Sequence, residues 1–306
     1  MDRSSEFIKN KALFGGFPTQ EYVNEFEELG VRYFVDLTCK GEKNITPYKT
    51  KYTYIHYPIS DRRVPTCWKS FSKFIIKIGN IIKNLKIGEK IYIHCKGGHG
   101  RSGIVVASLL CYIYRITPSE AIAKTTKYHS RRKEMREKWR KIGSPQTRGQ
   151  KHFVTKFFEP LYVYENYSNY SNYFYSGFSN NSNLEVMIPD FGLFPTANSA
   201  FYAFKEPSNN KYVGQLESTV DCKEIENIIT NAPHRQDWDD IKDSIMSTVL
   251  KHKFEQHKEI CTNLLATGLR PIIFRSNDIY WGKNNISGRN VLGKLLSKLR
   301  EDLYIH

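Results

Sequence analysis

The sequence has no long apolar segment. Its longest apolar run, Ile104 to Tyr114, is well short of the roughly 20 residues that a membrane-spanning helix requires. The opening residues, MDRSSEFIKN, contain no apolar stretch of the kind that forms a secretion signal. We therefore expect neither a membrane span nor a secretion signal.

Cysteine is sparse and scattered. Six cysteines occur among 306 residues, and no second Cys/His pair stands at the spacing of a metal site. Free thiols persist in reducing compartments. This usage predicts a cytoplasmic or nuclear protein.

Acidic residues are scarce in the first half of the chain. Residues 1–160 carry 31 Lys and Arg against 14 Asp and Glu, a balance of +17, whereas residues 161–306 carry 15 against 17, a balance of −2. Much of the excess lies between Ser130 and Lys141, which we interpret as one solvated helical face. It serves either solubility or the steering of a polyanionic substrate such as RNA, a phosphoinositide or an acidic phosphopeptide.

The most informative segment that is present runs from Lys90 to Gly103 and reads KIYIHCKGGHGRSG. A strand-like run leads into a glycine-rich loop, and an apolar helix-like run leads out. Backbone N–H groups of such a loop converge on a phosphate, and the helix dipole favours negative charge there. Cys95 at the mouth of this cradle is expected to be a thiolate. The segment predicts a phosphate site that contains a nucleophile.

Two other interpretations of this segment exist. Cys95 could be a buried structural cysteine, the common fate of a free thiol. Alternatively, His94, Cys95 and His99 could be zinc ligands. The histidine before Cys95, the three loop glycines and the Arg101-Ser102 pair favour the phosphate site.

The loop resembles that of the cysteine-dependent protein tyrosine and dual-specificity phosphatase family, written HCxxGxxR(S/T). The resemblance covers about Leu13 to Phe158. It implies a catalytic Cys95 with His94 in a supporting role. It also implies a set of phosphate-binding residues: Lys96, Gly97, Gly98, His99, Gly100 and Arg101.

Further elements of that family appear in the expected order. Tyr57 to Pro65 resembles the mobile loop that supplies the general acid, which would be Asp61. Pro145 to Val154 resembles the glutamine loop that positions the hydrolytic water, with Gln146 as its catalytic residue and Gln150 in support.

The residue types define a two-step reaction. The Cys95 thiolate attacks phosphorus to form a cysteinyl-phosphate, while the planar Arg101 fork grips equatorial oxygens. Asp61 protonates the leaving oxygen and then activates water. Ser102 donates to the sulfur that leaves in the second step. The reaction needs neither a metal nor another cofactor.

The first half alternates strand-like and helix-like patterns, which predicts an α/β fold with a mostly parallel central sheet wrapped by helices. The predicted strands are near Phe14 and at Val31–Leu37, Tyr52–Tyr57 and Ile91–His94. The predicted helices are Gln20–Leu29, Trp68–Leu85, Ile104–Tyr114, Pro118–Tyr128 and Gln150–Phe158.

Length and 40% hydrophobic content indicate about two domains with ordinary cores. From Leu161 to Phe174 the composition changes, and tyrosines alternate with Asn and Ser. We interpret residues 161–174 as a connector between domains at 1–160 and 175–306.

The second domain resembles the NADAR (YbiA-like) N-glycosidase family over about Tyr175 to Leu303. The motifs that carry the resemblance are Gly177–Asn180, Arg235–Trp238, Lys253-Phe254, Leu264–Gly268, Asn277–Gly282 and Gly288–Leu296. It implies a mainly helical α+β domain that acts on ribosylated nitrogen in ADP-ribose-linked or riboflavin-pathway compounds.

An N-glycosidase needs carboxylates to stabilise an oxocarbenium ion and aromatic rings to stack the base. Asp237, Trp238, Asp278 and Trp281 could serve, although a capping Asp beside a core Trp is an alternative interpretation of each pair.

The chain departs from that family at two positions. Asn198 stands where the family's catalytic glutamate is expected, and Ile273 replaces a second glutamate. An amide cannot act as a carboxylate base. We therefore expect the domain to bind an ADP-ribose-like or nucleotide ligand at Asn198 and its neighbours, with weak glycosidase activity or none.

The leading function is a protein tyrosine or dual-specificity phosphatase acting on a phosphorylated protein or another polyanionic phosphate. The alternatives are an RNA 5′-triphosphatase, a phosphoinositide phosphatase, a binding protein whose second domain recruits the ligand, or a bifunctional phosphatase and N-glycosidase.

Overall fold

The computed structural model describes residues 3–164, 173–231 and 235–305. These residues divide into two compact units, Met1–Glu159 and Pro160–His306. The tyrosine-rich residues 165–172 of the predicted connector lie outside the described residues.

The first unit contains a five-stranded sheet. In spatial order its strands are β1 (Ser4–Ile8), β2 (Ala12–Gly15), β5 (Lys90–His94), β3 (Val31–Asp36) and β4 (Thr53–His56). Only β1 is antiparallel to its neighbour, since β2, β5, β3 and β4 run parallel. The predicted mostly parallel sheet is confirmed.

The register of the sheet fixes the position of the glycine-rich loop. His94, the last residue of β5, lies opposite Gly15 on one side and Asp36 on the other. The carboxyl ends of three parallel strands therefore meet at one edge, where ligands bind in open α/β sheets. The loop that follows His94 begins between these strand ends.

Six helices complete the first unit: α1 (Gln20–Glu28), α2 (Trp68–Asn84), α3 (Arg101–Tyr114), α4 (Pro118–Ser130), α5 (Glu137–Ile142) and α6 (Arg148–Phe157). All five predicted helices are present. α3 follows the loop and is buried from Arg101 to Tyr112, because it is apolar on nearly every side and packs centrally.

The interpretation of Ser130 to Lys141 as a single solvated face is wrong. Helix α4 ends at Ser130, and α5 begins only at Glu137. Between them Arg132 is 2% exposed. Its guanidinium is buried because it donates to backbone carbonyl oxygens of other elements, which a helical pattern cannot reveal.

The second unit is mainly helical, as predicted. Its strands form two small sheets: β6 (Leu161–Tyr164) parallel to β9 (Ile272–Arg275), and β7 (Val186–Ile188) antiparallel to β8 (Gly192–Phe194). A 3-10 helix spans Tyr173–Phe178. The helices are α7 (Ala197–Ala203), α8 (Asn210–Ser218), α9 (Cys222–Thr230), α10 (Trp238–Gln256), α11 (Lys258–Ala266) and α12 (Val291–Ile305).

The core of the second unit forms around aromatic and aliphatic side chains from most of these elements, among them Phe178, Phe194, Phe201, Phe254 and Leu296. β6 brings Leu161 and Val163 into this core. The first four residues of the predicted connector are thus an integral strand of the second unit.

Among the helices within the described ranges, none combines the length and apolar composition that a membrane crossing requires.

Candidate active site

The loop between β5 and α3 folds around the Cys95 sulfur. Cys95 is 2% exposed. Its sulfur accepts a hydrogen bond from the Gly98 backbone N–H at 3.3 Å, and the Ser102 hydroxyl oxygen lies 3.7 Å from it. Since α3 begins at Arg101, the positive end of the helix dipole also faces this loop. A backbone N–H donor and the N-terminus of α3 therefore both lie at the sulfur of the predicted nucleophile.

Glycine is required at Gly98 for two reasons. Its φ angle is +73°, a left-handed conformation that side chains rarely adopt. A Cβ atom at this position would also collide with the backbone of Gly15 and Gly16 at the end of β2. The loop can therefore close against the sheet edge only with glycine there. Lys96 and Gly97 are exposed at its mouth.

Arg101 brings the loop and the predicted acid together. Its side chain is 2% exposed, and its guanidinium lies 2.9 Å from an Asp61 carboxylate oxygen. It also donates to the backbone oxygen of Ile59 at 3.0 Å. Asp61 itself is 62% exposed, so a bound molecule could reach its carboxylate. The structure therefore brings together Cys95, Arg101 and Asp61.

Glu42 is a participant that the sequence did not reveal. Both of its carboxylate oxygens accept from the Arg101 guanidinium, in a bidentate pair. Partial burial disfavours the Glu42 carboxylate, but the hydrogen bonds from Arg101 and from the Cys39 N–H outweigh it and lower the pKa of Glu42. Glu42 holds the arginine fork in orientation. Nothing in its local sequence distinguishes it from a surface carboxylate.

His94, the last residue of β5, anchors the start of the loop. It is fully buried, and its Nε2 lies 2.7 Å from the Tyr48 hydroxyl. The Asp36 carboxylate is 3.8 Å from His94 Nδ1 and accepts from the Tyr54 hydroxyl at 2.7 Å. Burial lowers the pKa of His94 to about 4, although Asp36 opposes the shift. The imidazole is therefore neutral at pH 7, which suits a supporting role.

Two residues link the Cys95 loop to other elements. His99 belongs to the loop, and the buried Arg132 lies outside it. His99 Nδ1 lies 2.8 Å from His129 Nε2, and its ring stacks on Trp139 at 4.9 Å. Arg132 donates to the Gly98 carbonyl at 2.8 Å and to the Phe14 carbonyl at 3.2 Å. Burial and the Arg132 charge lower the pKa of His99 to about 4. These contacts hold the loop in place at Gly98 and His99.

The two predicted glutamines differ in position. Gln150 is 1% exposed and donates to the Arg63 carbonyl at 3.2 Å. A Cβ atom on Gly100 would lie 2.8 Å from Gln150 Nε2, so this amide is in direct contact with the loop. Gln146 is partly exposed, and its side chain makes no hydrogen bond within the described part of the chain.

The second unit contains a cavity of about 370 Å³. Asn198, Asp278 and Trp281, all predicted ligand residues, line it together. One Asp278 oxygen accepts from the backbone N–H groups of Tyr280 and Trp281 at 2.7 and 3.0 Å, and so shapes its own loop. A carboxylate that the sequence did not reveal, Glu226 of α9, also lines the cavity.

Two other predicted ligand residues lie elsewhere. Asp237 is an exposed residue paired with Arg235 at 2.6 Å. Trp238 is 9% exposed and packs on Phe201, with ring centroids 5.0 Å apart. For this pair the structure supports the core tryptophan of the alternative interpretation. Asp237 stands at the N-terminus of α10, but its side chain pairs with Arg235 and makes no capping hydrogen bond. Ile273 lies in β9 and does not line the cavity.

One polar group beside the cavity has no partner. Asn180 is 8% exposed and lines the cavity, and its side-chain oxygen lacks a hydrogen bond within the described residues. Nearby in sequence, Ser179 and Ser182 accept from the fully buried Lys253 ammonium at 2.6 and 2.7 Å. An unsatisfied buried acceptor costs free energy unless a ligand or water donates to it. Asn180 therefore marks a point where a bound molecule could donate.

Comparison with known proteins matches both units to families. The dual specificity phosphatase catalytic domain matches residues 13–144, and the NADAR domain matches residues 157–304. The chain is 36% identical over 296 residues to "Putative tyrosine phosphatase 197R" of Invertebrate iridescent virus 6, covering 96% of this chain and 89% of that protein.

Other relatives match one unit or part of the chain. "Putative tyrosine phosphatase 067L" of Invertebrate iridescent virus 3 is 40% identical over 160 residues, covering 52% of this chain and 66% of that protein. "N-glycosidase YbiA" of Shigella flexneri is 33% identical over 135 residues, covering 43% of this chain and 83% of that protein.

The sheet, the Cys95 loop and the Arg101 fork define the class of cysteine-dependent phosphatases. The chain belongs to the dual specificity phosphatase family through its first unit, which is joined to a NADAR domain in its second.

Proposed function

We propose that the first unit hydrolyses phosphate monoesters on protein side chains through a covalent intermediate on Cys95. The observation that carries the proposal is a single cluster: the Cys95 sulfur with its Gly98 N–H at 3.3 Å, and Arg101 with Asp61 at 2.9 Å. A nucleophile, an anion clamp and an exposed acid together supply what phosphoryl transfer requires.

In the first step the Cys95 thiolate attacks phosphorus, and the bond from phosphorus to the ester oxygen breaks. The loop N–H groups and the Arg101 fork meet the charge that grows on the equatorial oxygens. Asp61 gives its proton to the departing oxygen. Glu42 keeps the arginine oriented, so that the clamp is formed before the substrate arrives.

In the second step water attacks the cysteinyl-phosphate, and the sulfur leaves as a thiolate. Asp61, now a carboxylate, takes the proton of the attacking water. Ser102, with its oxygen 3.7 Å from the sulfur, donates to the leaving thiolate. Gln146 orients the water, and Gln150 supports the loop that it contacts.

The test is Cys95→Ser, with Cys111→Ser as the matched control, since Cys111 is also buried but lies within α3. We expect Cys95→Ser to lower hydrolysis of an aryl phosphate by roughly a thousandfold or more, the scale seen when a nucleophile is removed. Phosphate or vanadate should still bind, because the loop and Arg101 remain. Substantial residual turnover by Cys95→Ser would remove Cys95 from this role.

A second function is favoured by the cavity of the second unit. We propose that it binds an ADP-ribose-like ligand with little or no release of a free base. Asn198, Asp278 and Trp281 line one cavity, and the buried Asn180 oxygen is a ready acceptor for a ribose hydroxyl. Binding can persist without catalysis, because ground-state contacts and transition-state stabilisation are separate contributions.

Calorimetry of the full chain with ADP-ribose tests this second function. Trp281→Ala should weaken binding by about tenfold, the scale of one lost stacking contact on a base. Asp237→Asn is the control, because Asp237 lies outside the cavity. Equal binding by both variants, or no binding by the wild type, would contradict the proposal.

A further inference from the structure

A groove of about 600 Å³ lies beside the candidate active site. The acid loop forms one wall, and the start of the glutamine-loop helix α6 forms the other. Its lining includes Tyr57, Ile59, Arg62, Arg63, Pro65 and Gln150. None of the described residues that line this groove is acidic. The groove has no role in the two-step reaction above.

The groove shares walls with the catalytic cluster. Ile59 lines it and also accepts a hydrogen bond from Arg101 at 3.0 Å. Gln150 lines it, contacts Gly100 of the loop and donates to the Arg63 carbonyl at 3.2 Å. A substrate held by Arg101 would therefore extend into this groove with whatever flanks its phosphorylated residue.

Arg62 and Arg63 carry positive charge that nothing nearby neutralises. Within the described ranges, neither guanidinium has a carboxylate within ion-pair distance, whereas Arg101 has two. Other exposed arginines, such as Arg3 and Arg235, are paired. Uncompensated charges next to a phosphate site favour an anionic partner.

The backbone at Arg62 has an unfavourable conformation. The Arg63 N–H donates to the Ser60 carbonyl at 3.0 Å, which closes a tight turn with Asp61 and Arg62 at its centre. Arg62 has a φ angle of +59°, which is unfavourable for a residue with a side chain. Strain of this kind is often retained at functional sites. The turn directs Asp61 to Arg101 while both arginines border the groove.

The remaining lining indicates the kind of occupant. Pro58, Ile59, Val64 and Pro65 give the groove an apolar side, which a peptide side chain can use and a chain of phosphates cannot. Tyr57, the aromatic residue of the lining, is already stacked on Phe74 with ring centroids 4.3 Å apart. That contact covers one face of the Tyr57 ring, and no other aromatic side chain among the described residues lines the groove. Stacking on aromatic rings is a main contribution to binding single-stranded RNA.

We propose that this groove selects phosphoprotein substrates by binding the peptide segment beside the phosphorylated residue. An apolar side chain packs on the proline-lined side, and an acidic or second phosphorylated residue pairs with Arg62 and Arg63. This inference rests on the proposed phosphatase activity of the first unit.

The test compares phosphotyrosine peptides that differ only in having Asp or neutral residues beside the phosphotyrosine. For each enzyme the readout is the ratio of kcat/KM values for the acidic and neutral peptides. The wild type should prefer the acidic peptide by about fivefold or more, since two exposed charge pairs contribute a factor of this order. In Arg62→Ala/Arg63→Ala the ratio should fall to about one, while the double lysine variant should retain most of it.

Arg115→Ala is the matched control. Arg115 is an exposed arginine of the same unit with a φ angle of +54°, but it caps α3 outside the groove. Its ratio should equal that of the wild type. A wild-type ratio near one, or a preference that survives in the double alanine variant, would overturn the proposal. Preferred hydrolysis of an RNA 5′-triphosphate that depends on both arginines would also overturn it.

Hydrolysis of an aryl phosphate that carries no peptide distinguishes a failure of the groove proposal from a failure of the proposed phosphatase function. Wild-type enzyme that hydrolyses it and yet shows no peptide preference contradicts the groove alone. Wild-type enzyme that fails to hydrolyse it contradicts the proposed phosphatase function, and the groove proposal fails with it.

Discussion

The Cys95 loop and the cavity of the second unit present carboxylates in opposite ways. At the loop, Glu42 and Asp61 both face the Arg101 guanidinium beside the nucleophile. At the cavity, one Asp278 oxygen is used to cap its own loop, and Asp237 lies on the surface with Arg235. The order of the sequence motifs alone resembles that of an enzyme family in both units.

The difference shows what a motif must include before it predicts a reaction. Catalysis needs charged groups directed at one point, where charge develops in the transition state. The first unit meets that condition. In the second unit the two glutamates expected from the NADAR resemblance are Asn198 and Ile273, and only Asn198 lines the cavity. The cavity keeps two carboxylates, Asp278 and Glu226, but one Asp278 oxygen is held by its own loop. The aromatic and amide groups of the lining suit binding.

After the loss of Cys95, the largest expected effect concerns Asp61, the exposed acid of the first unit. Asp61→Asn should slow hydrolysis of phenyl phosphate by roughly a hundred- to a thousandfold, the usual contribution of a general acid. An ester with an acidic leaving group needs no proton and should be slowed much less. Steady-state rates for a series of leaving groups measure this. An equal loss across the series would assign Asp61 to positioning Arg101 instead.

The contiguous part of the active site could be predicted from sequence, because the cradle is built from neighbouring residues. His94, Cys95 and Arg101 are fixed in relation to one another by one strand, one loop and one helix. Glu42 and Arg132 could not be predicted, since they reach the loop through the tertiary fold. Arg132 in particular belongs to a run whose composition indicates a solvated surface.

The parts of the fold that can be predicted are those with a periodic sequence pattern. Parallel strands and amphipathic helices of the first unit have clear periodicity, and they were predicted to within a few residues. Strand β1 is not predictable from its sequence, because Ser4 and Ser5 are both buried and the strand lacks an apolar alternation. Helix α5 lies largely within the run from Ser130 to Lys141, for which the sequence predicts a single helical face. Its six residues include no buried side chain, so no periodicity marks where it begins.

A smaller effect separates the two glutamines. Gln146→Ala should slow hydrolysis of the cysteinyl-phosphate by roughly ten- to a hundredfold, the scale of a misplaced nucleophile. Rapid-quench kinetics should then show a burst followed by slow turnover. Gln150→Ala should instead slow both steps, because Gln150 contacts Gly100 of the loop. A burst in Gln150→Ala alone would exchange the two roles.

Acid should destabilise the first unit by several degrees in Tm, an effect on stability rather than on rate. Burial lowers the pKa values of His94 and His99 to about 4 and that of His129 to about 3, from an ordinary 6.5. The unfolded chain takes up protons first, so stability present above pH 6.5 is lost as the pH falls toward 4.

Scanning calorimetry between pH 7 and pH 5 measures this loss. His129→Gln should flatten the decline of Tm, because it removes one buried group that resists protonation. His152→Gln is the control, since His152 is exposed on α6. Parallel curves for the wild type and His129→Gln would show that the His99–His129 pair does not govern acid stability.

The smallest expected effect is that of a substitution at Asn198, in the cavity of the second unit. Asn198→Glu restores one carboxylate to the cavity of the second unit, where Asp278 and Trp281 already lie. Base release from a ribosylated compound, followed by chromatography, should rise only slightly above the background of the wild type, because one oxygen of the neighbouring Asp278 already accepts from the N–H groups of its own loop. Hydrolysis of an aryl phosphate by the same variant should not change, since Cys95 and its partners belong to the first unit. Rapid base release by the unaltered chain would show that the second unit is itself catalytic, and Glu226, the other carboxylate of the cavity, would then be the group to substitute next.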